Sequence, residues 1–281
     1  MFPEARCLRV AMPQHNFRSQ IRMNDVSPNS LAFDAHTHLD FPAFEEDRGA
    51  VLARARAAGV RMWVIAAADP AHWSRIDAVC NAFGGIACHG VHPWWIARLD
   101  DTALAGHIAA LETWETRGIG ETGLDWVRAT TDRQRERQIQ SFRHHIDIAR
   151  RRQLPLVLHC VRAYDELLEI LAETGAHPGM VHSWSGPAAC IGPALELGLY
   201  VSFGASLTRS ARIRDAAREV PIERLLIETD CPDQPLQRGT RGEPAHLVDI
   251  AKAVALARQC EPEAILHQTA VNAQRLFGMC R

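Results

Sequence analysis

From Leu31 onward, short apolar runs alternate with longer stretches rich in Ala, Leu and Arg. The short runs predict strands at 31–36, 61–68, 86–92, 117–122, 154–159, 179–183, 198–204 and 224–229. Strands covered on both faces read as nearly continuous hydrophobic runs, as parallel strands do. The longer stretches predict helices at 47–58, 71–83, 101–115, 132–152, 163–175, 187–196, 208–218 and 244–276, the last divided at Glu261-Pro262. Gly59, Gly175 and Gly198 stand where helix C-caps fall. Eight alternations of strand and helix predict an α/β fold, a closed TIM (β/α)8 barrel, over residues 31–281. The competing fold, an open doubly wound sheet, would carry a Gly-x-Gly-x-x-Gly turn after its first strand. The first strand here runs into His-Thr-His-Leu-Asp instead.

The chain has 281 residues, which a single barrel accommodates. Its 47% hydrophobic and 23% charged residues exclude a disordered or fibrous protein. No apolar run approaches the roughly 20 residues that span a bilayer, so no membrane partner is expected. Residues 1–30 read differently, with Arg6, Arg9, Arg18 and Arg22 and no apolar signal-peptide core. They predict a loose extension, or a start upstream of Met23, although an Arg-rich, acid-poor opening also resembles a transit peptide. The net charge of −2 excludes non-specific coating of nucleic acid, which needs a large positive field, but not an enzyme that handles one phosphodiester at a time. The eight cysteines are scattered without a Cys-x-x-Cys pair, which predicts reduced thiols in a cytoplasmic protein, with a monomer as the expected state. Fourteen histidines are the unusual feature.

Their positions carry the chemistry. Asp34-Ala35-His36-Thr37-His38 closes the first predicted strand. Side chains alternate along a strand, so positions 34, 36 and 38 are expected on one face, where His36 and His38 can grip one metal ion. Glu121 and Asp125 close the fourth strand, His159 the fifth, His182 the sixth and Asp230 the eighth. In a parallel barrel these ends converge on one mouth. The four imidazoles with Glu121 and Asp230 make a nitrogen and oxygen donor set suited to Zn, Mn, Mg, Co or Fe rather than a thiolate site.

At these motifs the chain resembles the TatD family of metal-dependent hydrolases, in its YjjV-type branch. The matching segments are FDAHTHLDFPAF (33–44), HGVHP (89–93), GETGLD (120–125), LPLVLH (154–159), MVHSWSG (180–186), IETDCPDQPL (227–236) and NAQRLFG (272–278). The resemblance implies that His36, His38 and Asp230 hold one metal, that His159 and His182 hold a second, and that Glu121 bridges them. It also implies two divalent ions, Asp230 as the acceptor of a proton from water, and hydrolysis of phosphodiesters in DNA from an end. Two departures touch expected substrate contacts: Val161 stands where the family often has Arg, with Arg162 one residue later, and the segment after the eighth strand reads Arg241-Gly242-Glu243-Pro244.

Further substrate contacts are expected from His92, on a scissile phosphate, and from Trp94, Trp95, Trp126 and Trp184, which follow strand ends and could stack on bases. Each also fits a packing role at the barrel rim. Arg238 and Arg241 could anchor phosphates or face solvent in a loop. Cys160 and Cys231 neighbour proposed ligands, but alternation turns them outward, beneath the helices. A deoxyribonuclease is the first reading. An enzyme cleaving an amide or an aminoacyl-tRNA ester is the second, separated from it by substrate assay. A catalytically silent nucleic-acid-binding barrel is the third, and the complete ligand set argues against it.

Overall fold

The computed structural model describes residues 32–279; the extension expected at 1–30 lies outside the described residues, as do Cys7 and Cys280. Among the described residues there are eight strands: β1 (Ala32–Thr37), β2 (Val60–Ala66), β3 (Ile86–Cys88), β4 (Ile119–Asp125), β5 (Leu156–Val161), β6 (Gly179–Val181), β7 (Leu199–Phe203) and β8 (Leu225–Ile227). The helices between and after them are α1 (Arg48–Ala57), α2 (Trp73–Phe83), α3 (Pro93–Ile96), α4 (Asp101–Leu111), α5 (Asp132–Arg152), α6 (Tyr164–Thr174), α7 (Ile191–Glu196), α8 (Ser206–Arg209), α9 (Ala211–Glu219), α10 (Leu247–Arg258) and α11 (Pro262–Leu276).

The strands pair in parallel and in chain order, as two ladders, β1 to β3 and β4 to β8. A bridge between His89 and Ile119 joins them, with Gly120 N–H donating to His89 O at 2.8 Å. The ring closes where Asp230 N–H donates to His36 O at 3.0 Å and His38 N–H to Cys231 O at 2.8 Å. It is the closed barrel that the alternation predicts. Inside, Phe33, Val64, Cys88, Val157, Met180 and Leu226 pack together, and Ala273, Leu276 and Phe277 at the end of α11 complete the cluster. Outside, Trp63, Leu158, Val201 and Ile227 meet the helices. Fully burying one such side chain contributes about 1.5–3 kcal/mol. The long α5 begins at a capping box formed by Thr131 and Gln134 and ends at three arginines, which complement its C-terminal carbonyls.

Two irregularities in the ladders decide where the chemistry points. Asp34 pairs with Trp63 and Thr37 with Ile65, so three steps along β1 answer two along β2. Likewise Ile119 pairs with Leu156 and Thr122 with Leu158. Each is a bulge, which re-aims a side chain next to it. The first corrects the expectation that positions 34, 36 and 38 share a face. Asp34 turns from the mouth and its carboxylate accepts the N–H and hydroxyl of Thr229, at 2.9 and 2.6 Å, while His36 and His38 come together. The second bulge holds Glu121. Beside it β4 presses so closely on β5 that a Cβ on Gly123 (φ 134°) would lie 2.1 Å from His159 O. Only glycine fits there.

Candidate metal centre

The expected ligands meet around Glu121 at the C-terminal ends of the strands. Glu121 Oε2 lies 3.2 Å from His36 Nε2 and 3.5 Å from His38 Nε2. Its Oε1 lies 2.9 Å from His159 Nδ1 and 2.8 Å from His182 Nε2. Asp230 Oδ1 stands 3.3 Å from His38 Nε2 and 3.7 Å from His36 Nε2. All six residues are buried, with relative exposures of at most 7%. His182 and Asp230 lie just beyond the last paired residues of β6 and β8, where the chain turns out of the barrel. Arg162, Ser183 and Asp230, at three such exits, take left-handed conformations with φ of 55°, 46° and 50°. Non-glycine residues held there cost of order 1–3 kcal/mol each and persist only where surrounding structure over-determines them.

The donor chemistry fits a divalent cation. His36 Nε2 and His38 Nε2 are 3.4 Å apart, and His159 Nδ1 and His182 Nε2 are 3.2 Å apart. Imidazole nitrogens packed this closely around one carboxylate aim their lone pairs into a common space. Glu121 Oε2 and His36 Nδ1 are buried without a hydrogen-bond partner. His36, His38 and Glu121 offer donor atoms within 4.8 Å of one another, as do His92, Glu121 and His159, and as do His36, His182 and Glu228.

The electrostatics agree. Burial opposes ionisation of Glu121, but the surrounding imidazoles of His92, His182, His36 and His159 outweigh it and hold the carboxyl well below its ordinary range. For Asp230 burial is likewise outweighed, by the His38 hydrogen bond and nearby imidazoles, which pull its pKa to about 2. His38 moves oppositely: burial disfavours its charge, yet Asp230 and Glu121 lift it to about 9. The two buried carboxylates thus favour positive charge beside them, an imidazolium or a cation.

Neighbouring groups set which ring nitrogen faces inward. His38 Nδ1 donates to Ala66 O at 2.9 Å, freeing Nε2. His182 Nδ1 lies 3.4 Å from Glu228 Oε1, which also accepts Ser183 N–H at 2.6 Å. His92 Nδ1 accepts Trp94 N–H at 3.0 Å, so its Nε2 carries the hydrogen and points at Glu121 Oε1, 2.9 Å away. Burial lowers the His92 pKa to about 4 and keeps it neutral. Gln234 Nε2 donates to Asp230 Oδ2 at 2.7 Å and also reaches Ser183 Oγ. The reading of the sequence missed Glu228 and Gln234, although Glu228 shares strand parity with Asp230, two residues on.

Residues 33–278 match the family described as TatD related DNase. The chain belongs to that family. It is 32% identical over 261 residues to the Bacillus subtilis protein named uncharacterized metal-dependent hydrolase YabD, covering 88% of this chain and 99% of the relative. It is 29% identical to the Erwinia billingiae protein named 3'-5' ssDNA/RNA exonuclease TatD, over 88% of this chain and 99% of the relative. The crystal structure of the Escherichia coli TatD homologue YjjV superposes with a TM-score of 0.80 at 29% identity, covering 89% of this chain and 99% of that one.

Around this TatD-type centre lies a cleft of about 530 Å³, lined among others by Phe41, Trp94, Trp95, Arg98, Val161 and Gln234. Trp94 is 41% exposed, with the Arg128 guanidinium 4.6 Å from its ring centroid, and Arg98 stands 4.7 Å from Trp95. Other expected contacts lie elsewhere. Trp126 is half-buried under Arg135 and does not line the cleft. Trp184 is fully buried against Tyr164, so it packs the barrel and offers no stacking face. Arg241 is committed to Asp47, at 2.8 and 2.6 Å, and to Glu243 at 3.0 Å, and Glu243 is also bound by Arg54. The departing Arg241-Gly242-Glu243-Pro244 segment thus ties the loop after β8 to the start of α1. Arg238 is exposed outside the cleft lining, and so is Arg162, while Val161 lines it. Cys160 and Cys231 belong to the core packed under the helices, and burial raises both thiol pKa values well above the ordinary range.

Proposed function

We propose that this chain is a divalent-metal-dependent phosphodiesterase acting on nucleic acid, a deoxyribonuclease that works from a strand end. One observation carries the reading: four imidazoles and two carboxylates from five strand ends converge on Glu121 at an open mouth. Six donors exceed what one tetrahedral ion needs, which supports two ions, with His36, His38 and Asp230 on one, His159 and His182 on the other, and Glu121 between them. A bound divalent ion supplies a Lewis acid and brings the pKa of water from 15.7 to about 7. Asp230, whose Oδ2 is held by Gln234, keeps Oδ1 toward the site and accepts the proton that the attacking water gives up. His92, neutral, points its Nε2 hydrogen at Glu121 Oε1 and would turn it to a phosphoryl oxygen once a cation engages Glu121. Trp94, Trp95 and Phe41 present rings to the terminal bases of a strand.

The family name and the exonuclease name of the Erwinia relative support the substrate class and the end-directed action. We also assign the barrel, residues 31–281, as one catalytic domain with residues 1–30 outside it. We take the active unit to be a monomer. Free thiols at the described cysteines support a reducing, cytoplasmic setting. No helix among the described residues is long and apolar enough to cross a membrane.

The test is metal-reconstituted protein on end-labelled single- and double-stranded DNA and RNA, beside a mischarged aminoacyl-tRNA. Stepwise shortening of DNA, abolished by chelator and restored by metal, is expected. Cleavage of the tRNA ester alone would move the assignment to that bond, and binding of DNA without cleavage under any metal would make the barrel a silent binder.

A further inference from the structure

A second line of residues runs from solvent to the centre. Trp94 opens on the rim in α3, and its indole Nε1–H donates to Asp125 Oδ2 at 2.5 Å. The same oxygen lies 3.1 Å from His159 Nε2. The other ring nitrogen, Nδ1, faces Glu121 and His182 at 2.9 and 3.2 Å. The second Asp125 oxygen is occupied: Val127 N–H and Arg128 N–H both donate to Oδ1 at 2.9 Å. The Asp125 backbone is pinned as well, because its N–H donates to Gln138 Oε1 at 2.8 Å and Gln138 Nε2 donates to Pro93 O at 3.1 Å. Gln138 on α5 therefore ties the end of β4 to the residue that precedes Trp94. Asp125 is 2% exposed, so its carboxylate has little water to fall back on.

We propose that Asp125 is a positioning residue that acts through His159, and that Trp94 fixes Asp125 for that task. Asp125 accepts the hydrogen on His159 Nε2 and so leaves Nδ1 as the lone pair that meets a cation. The proposal rests on the metal reading above and adds to it the tautomer and the group that sets it. It gives Trp94 work distinct from base stacking: its polar edge is turned inward to Asp125, and Arg128 already covers one face.

Asp125→Asn makes the logic testable. Two backbone N–H groups fix the amide oxygen at the Oδ1 position, so the NH2 is forced toward His159 Nε2 and Trp94 Nε1–H. Donor then meets donor at Trp94, and Nε2 becomes an acceptor, which moves the ring hydrogen to Nδ1. The first measurement is nitrogen NMR of the imidazoles in zinc-loaded protein, because without a cation Nδ1 also faces a carboxylate, Glu121 Oε1 at 2.9 Å. His159 Nε2 is expected to carry a hydrogen in the wild type, and that resonance is expected to fall away in Asp125→Asn as zinc leaves the site. The second is titration with Zn2+ alone against a competing chelator. Outer partners of ligating histidines are typically worth about 10–100-fold in metal affinity. One of the two ion sites is expected to weaken by that factor in Asp125→Asn. Trp94→Phe keeps a ring and deletes the donor, and should weaken the same ion site by about 3–10-fold, matching Trp94→Ala. A pure stacking role leaves metal affinity untouched in both.

Asp125→Asn and Trp94→Phe with zinc affinities within about two-fold of wild type would overturn the proposal. So would a zinc-loaded wild type in which His159 Nε2 carries no hydrogen, a result that needs no variant to fold. A wild-type protein that binds no zinc would remove the metal reading and this inference together, whereas normal zinc binding with unaffected variants removes only this one.

Discussion

Glu121→Gln against Asp230→Asn separates holding metal from moving a proton. Both changes keep shape and delete one negative charge. Glu121 sees imidazole nitrogens from two sides, from 2.8 Å at His182 to 3.2 Å at His36. A unit charge pair at about 3 Å is worth roughly 5 kcal/mol at an effective dielectric of about 20. If half of that is lost at each ion, affinity falls by about 2.5 kcal/mol, or more than 50-fold, at both sites. Asp230 touches only the His36 and His38 side, at 3.7 and 3.3 Å, and its other oxygen is engaged by Gln234. Asp230→Asn should therefore keep most of the metal while kcat falls by about 10²–10⁴, the span of a lost general base. The assay is metal content by elemental analysis after dialysis at fixed free metal, paired with kcat on a labelled oligonucleotide at saturating metal. Metal and kcat should fall together in Glu121→Gln and part in Asp230→Asn. Two equivalents retained by Glu121→Gln would refute the bridge. Near-normal kcat in fully loaded Asp230→Asn would remove it as proton acceptor and leave that role to His92 or water.

Other expectations follow from single contacts. Trp95→Ala should raise KM for oligonucleotides and spare a small phosphodiester, because stacking on one ring is worth about 1–3 kcal/mol; equal loss on both substrates would make Trp95 rim packing only. Trp94→Ala should hurt both substrates, through Asp125. His145 is fully buried, donating from Nδ1 to Ser141 O and accepting Val91 N–H at Nε2, and burial lowers its pKa from 6.5 to about 4. The unfolded chain then binds more protons, so this contribution is complete above about pH 6.5 and is lost as pH falls toward 4, by up to about 3 kcal/mol. Denaturant midpoints should show the stability gap between wild type and His145→Gln narrowing over that interval; a constant gap would contradict it. A chain shortened to begin at Met23 should bind metal and turn over normally. Normal metal binding with lost activity would instead give the arm a role in catalysis.

Much of the barrel is visible in the sequence because parallel strands buried on both faces leave unbroken apolar runs, and all eight expected strands find counterparts. Gly175 and Gly198 fall at helix ends with positive φ for the same local reason. The convergence of His36, His38, Glu121, His159, His182 and Asp230 is visible too, because one topology brings every strand end to one mouth. What escapes the sequence is set by distant partners. Arg241 is removed from the cleft by Asp47, which lies 194 residues earlier. Trp184 follows a strand as Trp94 does, and only tertiary packing against Tyr164 distinguishes the buried ring from the rim one. Asp34 shares its parity with His36 and His38, and no local signal marks the bulge that separates it from them.

The bulge in β4 makes the centre sensitive to chain length in a way substitutions do not sample. Removing one residue between Ile119 and Thr122 would restore an even count against β5 and leave a regular parallel ladder. The barrel could close and bury the same apolar faces. Yet the half-turn of phase would aim a chelating side chain at the helices. A deletion there would produce a folded, soluble-looking barrel with its donors scattered, so stability screens would pass it and only metal titration would detect it. Divergent relatives that lost chemistry while keeping the fold are best sought by gaps at this place in β4, before any ligand is seen to change.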